Sequence, residues 1–196
     1  MNRARALVIG GGVGGAAIAY WLTKLGWSEV VLCERSELTS GSTFHSAGLV
    51  GQLRGSLSLT KMMMRSVELY RTLEAEVGLP TGWHEVGSLR LASGPERMEE
   101  LARQAGWAKT FGLPLELMSA SEALALFPPM SIEGVKGAAY LPTDGYIDPS
   151  QLTFALAEGA RRAWGGGMLV NFAWPRAATN PTPVQTALAS TSTRTG

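Results

Sequence analysis

Cysteine and histidine are scarce in this sequence. Cys33 is the single cysteine among 196 residues, so a disulfide framework and a cysteine-based metal site are both excluded. It lies in the apolar run VVLC, and we expect its side chain to behave as a small buried hydrophobe. The two histidines are His45 and His84. His84 falls in a predicted strand, where a structural or surface role is favoured over catalysis.

An excess of charge of one sign is also lacking. The chain carries 17 Lys and Arg residues against 16 Asp and Glu residues, a formal net charge of +1. Basic runs and basic helix faces are missing, which argues against nucleic acid or an anionic membrane as the main partner. The low charged fraction comes with an ordinary apolar content, which is typical of a folded globular chain.

The N-terminal stretch ALVIGGGVGGAAIAYWLT has no charge, but its glycine content argues against a membrane span. It reaches Lys24 without a small-residue cleavage site, which argues against a secretory signal. With five residues before the first apolar run, no organelle presequence is expected. These features together favour a cytoplasmic protein.

The first 35 residues predict a βαβ unit. RALVIG is a short strand, VGGAAIAYWLTKLG is a helix that ends at Gly26, and EVVLCER is a second strand. The second strand is apolar enough to be buried on both faces. We therefore expect a right-handed crossover in a parallel sheet.

A glycine motif lies between the first strand and the first helix. Gly10, Gly12 and Gly15 match G-x-G-x-x-G: the first allows a tight turn, the second admits a pyrophosphate, and the third brings helix and strand together. The positive end of the helix attracts phosphate. Glu34, nineteen residues past Gly15, can accept hydrogen bonds from a ribose and disfavours NADP. The alternative is a packing turn beside an exposed glutamate, and the spacing does not distinguish NAD from FAD.

The loop TSGSTFHSAG, residues 39–48, consists mainly of small residues. Such a loop lets the backbone approach a large flat ligand. We expect the chain to run from it straight into another helix, with Ser40, Ser42 and Thr43 capping that helix and offering hydroxyls to a phosphate. His45 then lies near a more distant part of the ligand.

Three further helices and a turn follow in the sequence. LSLTKMMMRSVELYRTLEAEVG and SGPERMEELARQAGWAKTFG are amphipathic, and we expect them to end at Gly78 and Gly112. The second has Pro95 near its start and a predicted capping box from Ser93 to Glu96. In YLPTDGYIDPSQLTFALAEGARRAW, Asp148 is expected to cap a helix that starts at Pro149. Beyond Trp164 no acidic residue occurs, and MLVNFAW is the one strand candidate there. We expect a poorly ordered tail.

Four segments carry a resemblance to a known family: VIGGGVGG, CERSELTSGSTFHSAGL, TGWHEVGSLRLA and YLPTDGYIDPSQLTFALAEGARR. Over about residues 5–163 the chain resembles FAD-dependent oxidoreductases of the D-amino-acid-oxidase-like superfamily, most closely the dimethylglycine and sarcosine dehydrogenase branch. This resemblance implies an α/β fold with a Rossmann-like FAD-binding domain, built from a parallel sheet with helices, plus a partial α+β substrate domain. The implied division is residues 1–80 for FAD binding, 81–146 for the partial substrate domain, 147–164 for a returning helix and 165–196 for the tail.

The resemblance also implies the cofactor and the residues that hold it. The implied FAD-binding residues are Gly10, Gly12, Val13, Gly14, Gly15, Glu34, Arg35, Ser42, Thr43, His45, Ala47, Gly48 and Leu49. In this branch the histidine of the corresponding loop carries the flavin covalently through its 8α-methyl group, and the matching residue is His45. Phe44 stands where a tryptophan is usual. Non-covalent contact with FAD is the alternative.

The chemistry implied by the resemblance is oxidation of an N-methyl amino acid such as dimethylglycine or sarcosine. Electrons would pass to an electron-transfer flavoprotein, or alternatively to oxygen. Family members continue well past this length, so the resemblance implies an N-terminal fragment with little activity of its own. A truncation or a shifted reading frame near residues 164–167 is a hypothesis that explains the loss of resemblance there. Two other hypotheses are a non-catalytic regulatory or FAD-binding module and an amino acid oxidase with non-covalent FAD.

Overall fold

A computed structural model describes residues 4–163 and 169–171 of the chain. The helices and strands are β1 (Ala6–Ile9), α1 (Val13–Lys24), β2 (Val30–Glu34), β3 (Leu49–Val50), α2 (Leu57–Val77), β4 (Ser88–Ala92), α3 (Pro95–Lys109), β5 (Glu116–Met118), α4 (Ala120–Leu126), β6 (Gly137–Leu141), β7 (Gly145–Tyr146), α5 (Pro149–Ala163) and β8 (Leu169–Asn171). They divide into two compact units. Among the described residues, unit 1 contains 4–47, 73–81, 149–163 and 169–171, and unit 2 contains 48–72 and 82–148.

This division differs from the one drawn from the sequence mainly at residues 48–72, and by one or two residues at 81 and 147–148. Residues 48–72, which the sequence analysis assigned to the FAD-binding domain, cluster with unit 2. The two-residue strand β3 explains part of this grouping, because it pairs with β7 of the same unit.

Unit 1 contains the predicted βαβ arrangement. Its sheet has the order β1-β2-β8, and both pairings are parallel, with Val8 opposite Leu32 and Leu32 opposite Leu169. Apolar residues of β1, β2 and α1 form one core, to which Ala160 of α5 adds. The strand candidate MLVNFAW contains β8; the rest of the predicted tail lies outside the described residues.

Cys33 is buried in β2, as predicted, and burial raises the pKa of its thiol. Tight helix packing elsewhere in unit 1 depends on Gly159 of α5. A Cβ at this position would lie 2.9 Å from the Tyr20 ring, so any larger residue would push α1 and α5 apart.

Unit 2 is built on an antiparallel sheet of order β4-β6-β5. Apolar residues of α3 pack against β4 and β6 of this sheet, and Leu101 and Ala108 in α3 are fully buried. A second, two-stranded sheet pairs β3 with β7. The α+β character expected of the second domain is therefore present.

Helix ends follow the predicted glycines, whereas one predicted helix start is wrong. Gly26, Gly78 and Gly112 have positive φ angles after α1, α2 and α3. Pro95, which was predicted near the start of this helix, is the first residue of α3, but the N-cap is Gly94 and no side chain caps it. Because proline occupies the first helical position, Ser93 lies one residue too early for a capping box. The capping box of unit 2 belongs to α4 instead, from Ser119 to Glu122.

Two searches of the described residues bear on function. No helix there has both the length and the apolar composition that a membrane crossing requires. No group of three or more His, Cys, Asp or Glu side chains in that part of the chain is placed to hold a metal ion.

Candidate functional site

The turn between β1 and α1 shows the geometry expected of its first and third glycines. Gly10 has a φ angle of +109°, a conformation that side chains with a Cβ rarely adopt, and its N–H donates to the Cys33 carbonyl at 2.7 Å. A Cβ at Gly15 would lie 1.9 Å from the Gly10 carbonyl oxygen. The helix therefore approaches the strand as closely as backbone allows, and only glycine fits there.

Gly11, which lies between the first two glycines of the motif, has a role that the sequence analysis missed. A Cβ on Gly11 would lie 2.6 Å from Leu38 and 2.8 Å from the Cβ of Glu34. Its N–H donates to Glu34 Oε2 at 2.6 Å, and the other oxygen of that carboxylate accepts from the Ser36 N–H at 2.9 Å. The Gly11 hydrogen bond lowers the pKa of Glu34. A charged carboxylate is thus held directly beside the glycine turn.

The start of α1 is capped by a residue far away in the sequence. Its N-cap, Gly12, has no side chain, and the N–H of Val13 donates instead to Thr43 Oγ1 at 3.0 Å. Thr43 is buried, and a Cβ at Gly12 would lie 2.8 Å from its hydroxyl oxygen. Gly14, by contrast, has open space where a Cβ would stand.

The predicted capping of the following helix by Ser40, Ser42 and Thr43 is therefore wrong. Strand β3 and residues 51–56 separate the loop from α2, which begins at Leu57. Ser56 precedes that helix and accepts from the Leu59 N–H at 3.3 Å through its side chain. The hydroxyl of Thr43 serves the glycine turn instead.

The loop is fastened to the same turn at a second point, Thr39. Its N–H donates to the Gly11 carbonyl at 3.0 Å, and its carbonyl accepts from the Phe44 N–H at 3.2 Å. Thr39 is buried and has a φ angle of +71°, which is strained for a β-branched residue. No sequence pattern could have revealed this residue, because its conformation depends on the contact with Gly11.

His45 lies in this anchored loop and is exposed. Its backbone N–H donates to the Ser42 carbonyl at 3.2 Å. Its ring packs edge to face against Phe44, with 5.5 Å between the ring centroids. Arg35, Ser42 and Ala47 are also exposed along the segment that follows β2. The structure thus brings Glu34 and Thr43 into contact with the glycine turn and leaves the imidazole accessible.

The last two predicted site residues, Gly48 and Leu49, belong to unit 2. The Gly48 carbonyl accepts from the Ile147 N–H at 2.9 Å, and Leu49 pairs with Tyr146 and is exposed. His84 also pairs with Tyr146, with 4.8 Å between ring centroids, which agrees with a structural role.

Asp144 organises this part of unit 2. Its side chain is fully buried, and one oxygen accepts from the Gln52 N–H at 2.8 Å. The other oxygen accepts from the Ser88 hydroxyl at 2.7 Å. These contacts connect the segment after β3 to β4, so Asp144 has a structural role in the turn between β6 and β7.

Comparison with known proteins extends these observations. The family described as FAD dependent oxidoreductase matches residues 5–171. Human mitochondrial dimethylglycine dehydrogenase is 41% identical over 177 residues, which is 89% of this chain and 20% of that protein. Human mitochondrial sarcosine dehydrogenase is 40% identical over 160 residues, 81% of this chain and 17% of that protein.

The solved structures include an L-proline dehydrogenase from P. horikoshii with a TM-score of 0.80 and 32% identity, covering 87% of this chain and 44% of the other. The chain thus spans about a fifth of the length of the two curated relatives. The family match continues through β8 to residue 171, so the expected end of resemblance near residue 163 is wrong. The match includes residues 164–167, where a loss of resemblance had suggested a shifted reading frame. The chain belongs to the family of FAD dependent oxidoreductases.

Proposed function

We propose that this chain binds FAD and supplies the dinucleotide-binding part of an enzyme that oxidises an N-methylated amino acid. The observation that carries the proposal is the pair of contacts on the glycine turn. Glu34 accepts from the Gly11 N–H, and Thr43 accepts from the Val13 N–H. An acceptor for ribose hydroxyls beside Gly11 and a hydroxyl for phosphate beside Val13 would thereby lie two residues apart, where the glycine turn meets α1.

The residues present fit the pyrophosphate of FAD. The space beyond Gly14 is open, and the first turn of α1 presents backbone N–H groups and the positive end of the helix dipole. The Thr43 hydroxyl accepts from Val13 and keeps its own proton, which it can donate to a phosphate oxygen. Thr43 and the start of α1 would hold the phosphates.

Glu34 fits the adenosine ribose. Its carboxylate is charged at neutral pH, and a carboxylate accepts hydrogen bonds from two vicinal hydroxyls. The Gly11 hydrogen bond lowers its pKa further. The same charge repels a 2′-phosphate. Arg35 follows Glu34 at the exposed end of β2 and would lie near the adenosine half of the cofactor.

We propose that an imidazole nitrogen of His45 is bonded to the 8α-methyl carbon of the flavin. This bond would replace one C–H and one N–H bond, and the flavin itself would take up the two hydrogens and their electrons. A neutral imidazole nitrogen is nucleophilic near neutral pH, and the exposed ring lies in a loop of small residues fixed to the glycine turn. A covalent bond would prevent dissociation of the cofactor. Bound FAD would supply an acceptor for the hydride equivalent that leaves the amine.

The substrate class comes from the relatives. Two of them are dehydrogenases of dimethylglycine and sarcosine, which are both N-methylated amino acids. We propose a substrate of this kind for the whole enzyme, an electron-transfer flavoprotein as the electron acceptor and a cytoplasmic location. The chain spans about a fifth of the length of these relatives, and we assign none of its residues to the binding of the amine.

The experiment is the flavin content of the purified chain, measured before and after acid precipitation. We expect yellow protein whose flavin fluorescence persists on a denaturing gel. His45→Ala should bind FAD but lose it in acid, and His84→Ala, which removes an exposed imidazole of unit 2, should retain it. Release of flavin from the unmodified chain in acid would contradict the covalent bond but would leave the proposal of FAD binding intact. A chain that takes up no FAD would contradict the proposed function and favour a regulatory module.

A further inference from the structure

A second concave site lies entirely within unit 2, on the side of its sheet covered by α3. The cleft has a volume of about 470 Å³, within the range of small-molecule sites. We call it the arginine cleft; its polar and aromatic lining consists of Arg54, Arg90, Glu100, Arg103, Gln104 and Trp107. Three arginines face one glutamate, a surplus of two positive charges. This site shares no residue with the glycine turn.

Helix α3 supplies one wall by simple periodicity. Glu100, Arg103, Gln104 and Trp107 are spaced by three or four residues, so they share one face of the helix. Arg90 comes from β4, and Arg54 comes from the segment before α2. Three separate elements of the unit therefore converge on the cleft.

The backbone of Arg54 is held rigidly. Its N–H donates to the hydroxyl oxygen of Thr60, which is fully buried, and its carbonyl accepts from that hydroxyl at 3.2 Å. The same carbonyl accepts from Trp107 Nε1 at 3.3 Å. The guanidinium of Arg54, by contrast, has no hydrogen-bond or ion-pair partner within residues 4–163. A fixed backbone thus presents a cation whose five N–H donors are available.

The single glutamate of the cleft is already engaged. Glu100 accepts from Arg97 and from Gln104, and the Arg97 hydrogen bond holds the pKa of the Glu100 carboxyl below its usual range. Gln104 in turn accepts from Arg90 Nη1 at 2.7 Å. This chain of hydrogen bonds orients the Arg90 guanidinium and occupies the carboxylate without neutralising Arg54. Arg103 lies 3.9 Å from Glu99, and both side chains are largely exposed, so their pairing is weak.

We propose that the arginine cleft binds a small molecule that carries two negative charges on a planar ring, such as an aromatic dicarboxylate or an aryl phosphate. Guanidinium groups match carboxylate and phosphate oxygens in a bidentate geometry. The indole of Trp107 offers an apolar surface for the ring, and its contact with Phe111 at 5.2 Å between centroids restrains it. The proposal does not rest on FAD binding.

The test is calorimetric titration of the full 196-residue chain with isophthalate, phenyl phosphate and inorganic phosphate. We expect saturable binding of the first two, weaker binding of inorganic phosphate, and none of the uncharged analogue isophthalamide. If isophthalate binds more strongly, the natural ligand carries carboxylates. If phenyl phosphate binds more strongly, it carries a phosphate. Arg54→Gln and Arg103→Gln should each weaken binding, the first by at least about tenfold because charged hydrogen bonds are lost.

Arg65→Gln is the matched control, since Arg65 is an exposed arginine of unit 2 that does not line the cleft. It should leave the affinity within twofold, and all variants should show unchanged thermal unfolding. Saturating FAD should leave the affinity for isophthalate unchanged. Three results would overturn the proposal: equal binding of isophthalamide, affinities in Arg54→Gln and Arg103→Gln that match the parent, or displacement of isophthalate by FAD.

Discussion

At the scale of single residues, the run Gly10-Gly11-Gly12 shows that neighbouring glycines are required for different physical reasons. Gly10 needs its positive φ angle, Gly11 leaves room for Glu34 and Leu38, and Gly12 leaves room for the Thr43 hydroxyl. The motif alone predicts the first and third glycines of G-x-G-x-x-G. It does not predict Gly11, whose neighbours come from residues more than twenty positions later.

Gly15 and Gly14 form a matched pair for testing the close approach of helix and strand. Gly15→Ala would place its Cβ against the backbone of Gly10, which cannot move aside. We expect a loss of about 2–3 kcal/mol in the free energy of unfolding, measured in urea on cofactor-free protein in the His45→Ala background. Gly14→Ala, with open space around its Cβ, should be neutral or stabilise α1 by up to about 1 kcal/mol. Equal effects of the two substitutions would refute the packing argument.

Substitutions of Thr43 separate the effect of its hydroxyl on the start of α1 from the effect of side-chain volume. Thr43→Val keeps the volume but removes the acceptor for the Val13 N–H, so we expect a loss of about 1 kcal/mol in the free energy of unfolding. If the hydroxyl also donates to phosphate, Thr43→Val added to His45→Ala, which binds FAD non-covalently, should raise the Kd for FAD by about tenfold, as measured by fluorescence quenching. Thr43→Ser retains the hydroxyl and should stay close to the parent in both measurements.

At the scale of elements, the C-terminal ends of helices were predicted correctly where a single glycine determines them. The start of α3 was predicted wrongly because a capping box depends on which residue is the first of the helix. Gly26 and Gly112 end their helices because positive φ is available to glycine. The box at Ser93 failed because Pro95 moved the start of α3, and the actual box at Ser119 depends on where that chain segment leaves β5. A capping motif therefore needs a known helix start before it can be assigned.

Glu158 makes α5 sensitive to acid. Hydrogen bonds from Arg161 and then Arg162 lower its pKa to about 2. Because the folded-state pKa lies below the unfolded value, the stabilisation is full above about pH 4.5 and is lost as the pH falls toward 2. Glu158→Gln should lower the free energy of unfolding by about 0.5–1 kcal/mol at pH 7, and the difference should shrink as the pH falls below 4.5.

Urea unfolding of both proteins between pH 3 and 7 measures this difference. Glu99→Gln is the control, because its pair with Arg103 is long and exposed, and it should have no measurable effect at any pH. A carbon-13 titration that finds an ordinary pKa for the Glu158 carboxyl would contradict the assignment.

At the scale of the whole molecule, belonging to the family and performing its reaction are separate matters. The family match covers residues 5–171, whereas the chain spans 20% and 17% of the two human dehydrogenases. The contacts that we propose for the ribose and the pyrophosphate lie within unit 1. Amine oxidation further requires a pocket that places the substrate against the ring.

We therefore expect the isolated chain to retain flavin but to show little or no amine-dependent dye reduction. The assay compares dimethylglycine and sarcosine with buffer alone, and reduction by dithionite serves as the control that the bound flavin is redox-active. Turnover comparable with that of a full-length dehydrogenase would show that this expectation is wrong.

The sequence by itself determined the βαβ unit, the placement of the glycine turn and the ends of most helices, because periodicity and local steric limits act over a few residues. Only the tertiary structure decided that Thr43 caps α1 from 30 residues away, that Thr39 adopts a strained φ angle against Gly11, and that three arginines meet in one cleft. These contacts arise from hydrogen-bond donors and charges on distant segments. Their meeting depends on how the chain folds back on itself, which local sequence patterns do not encode.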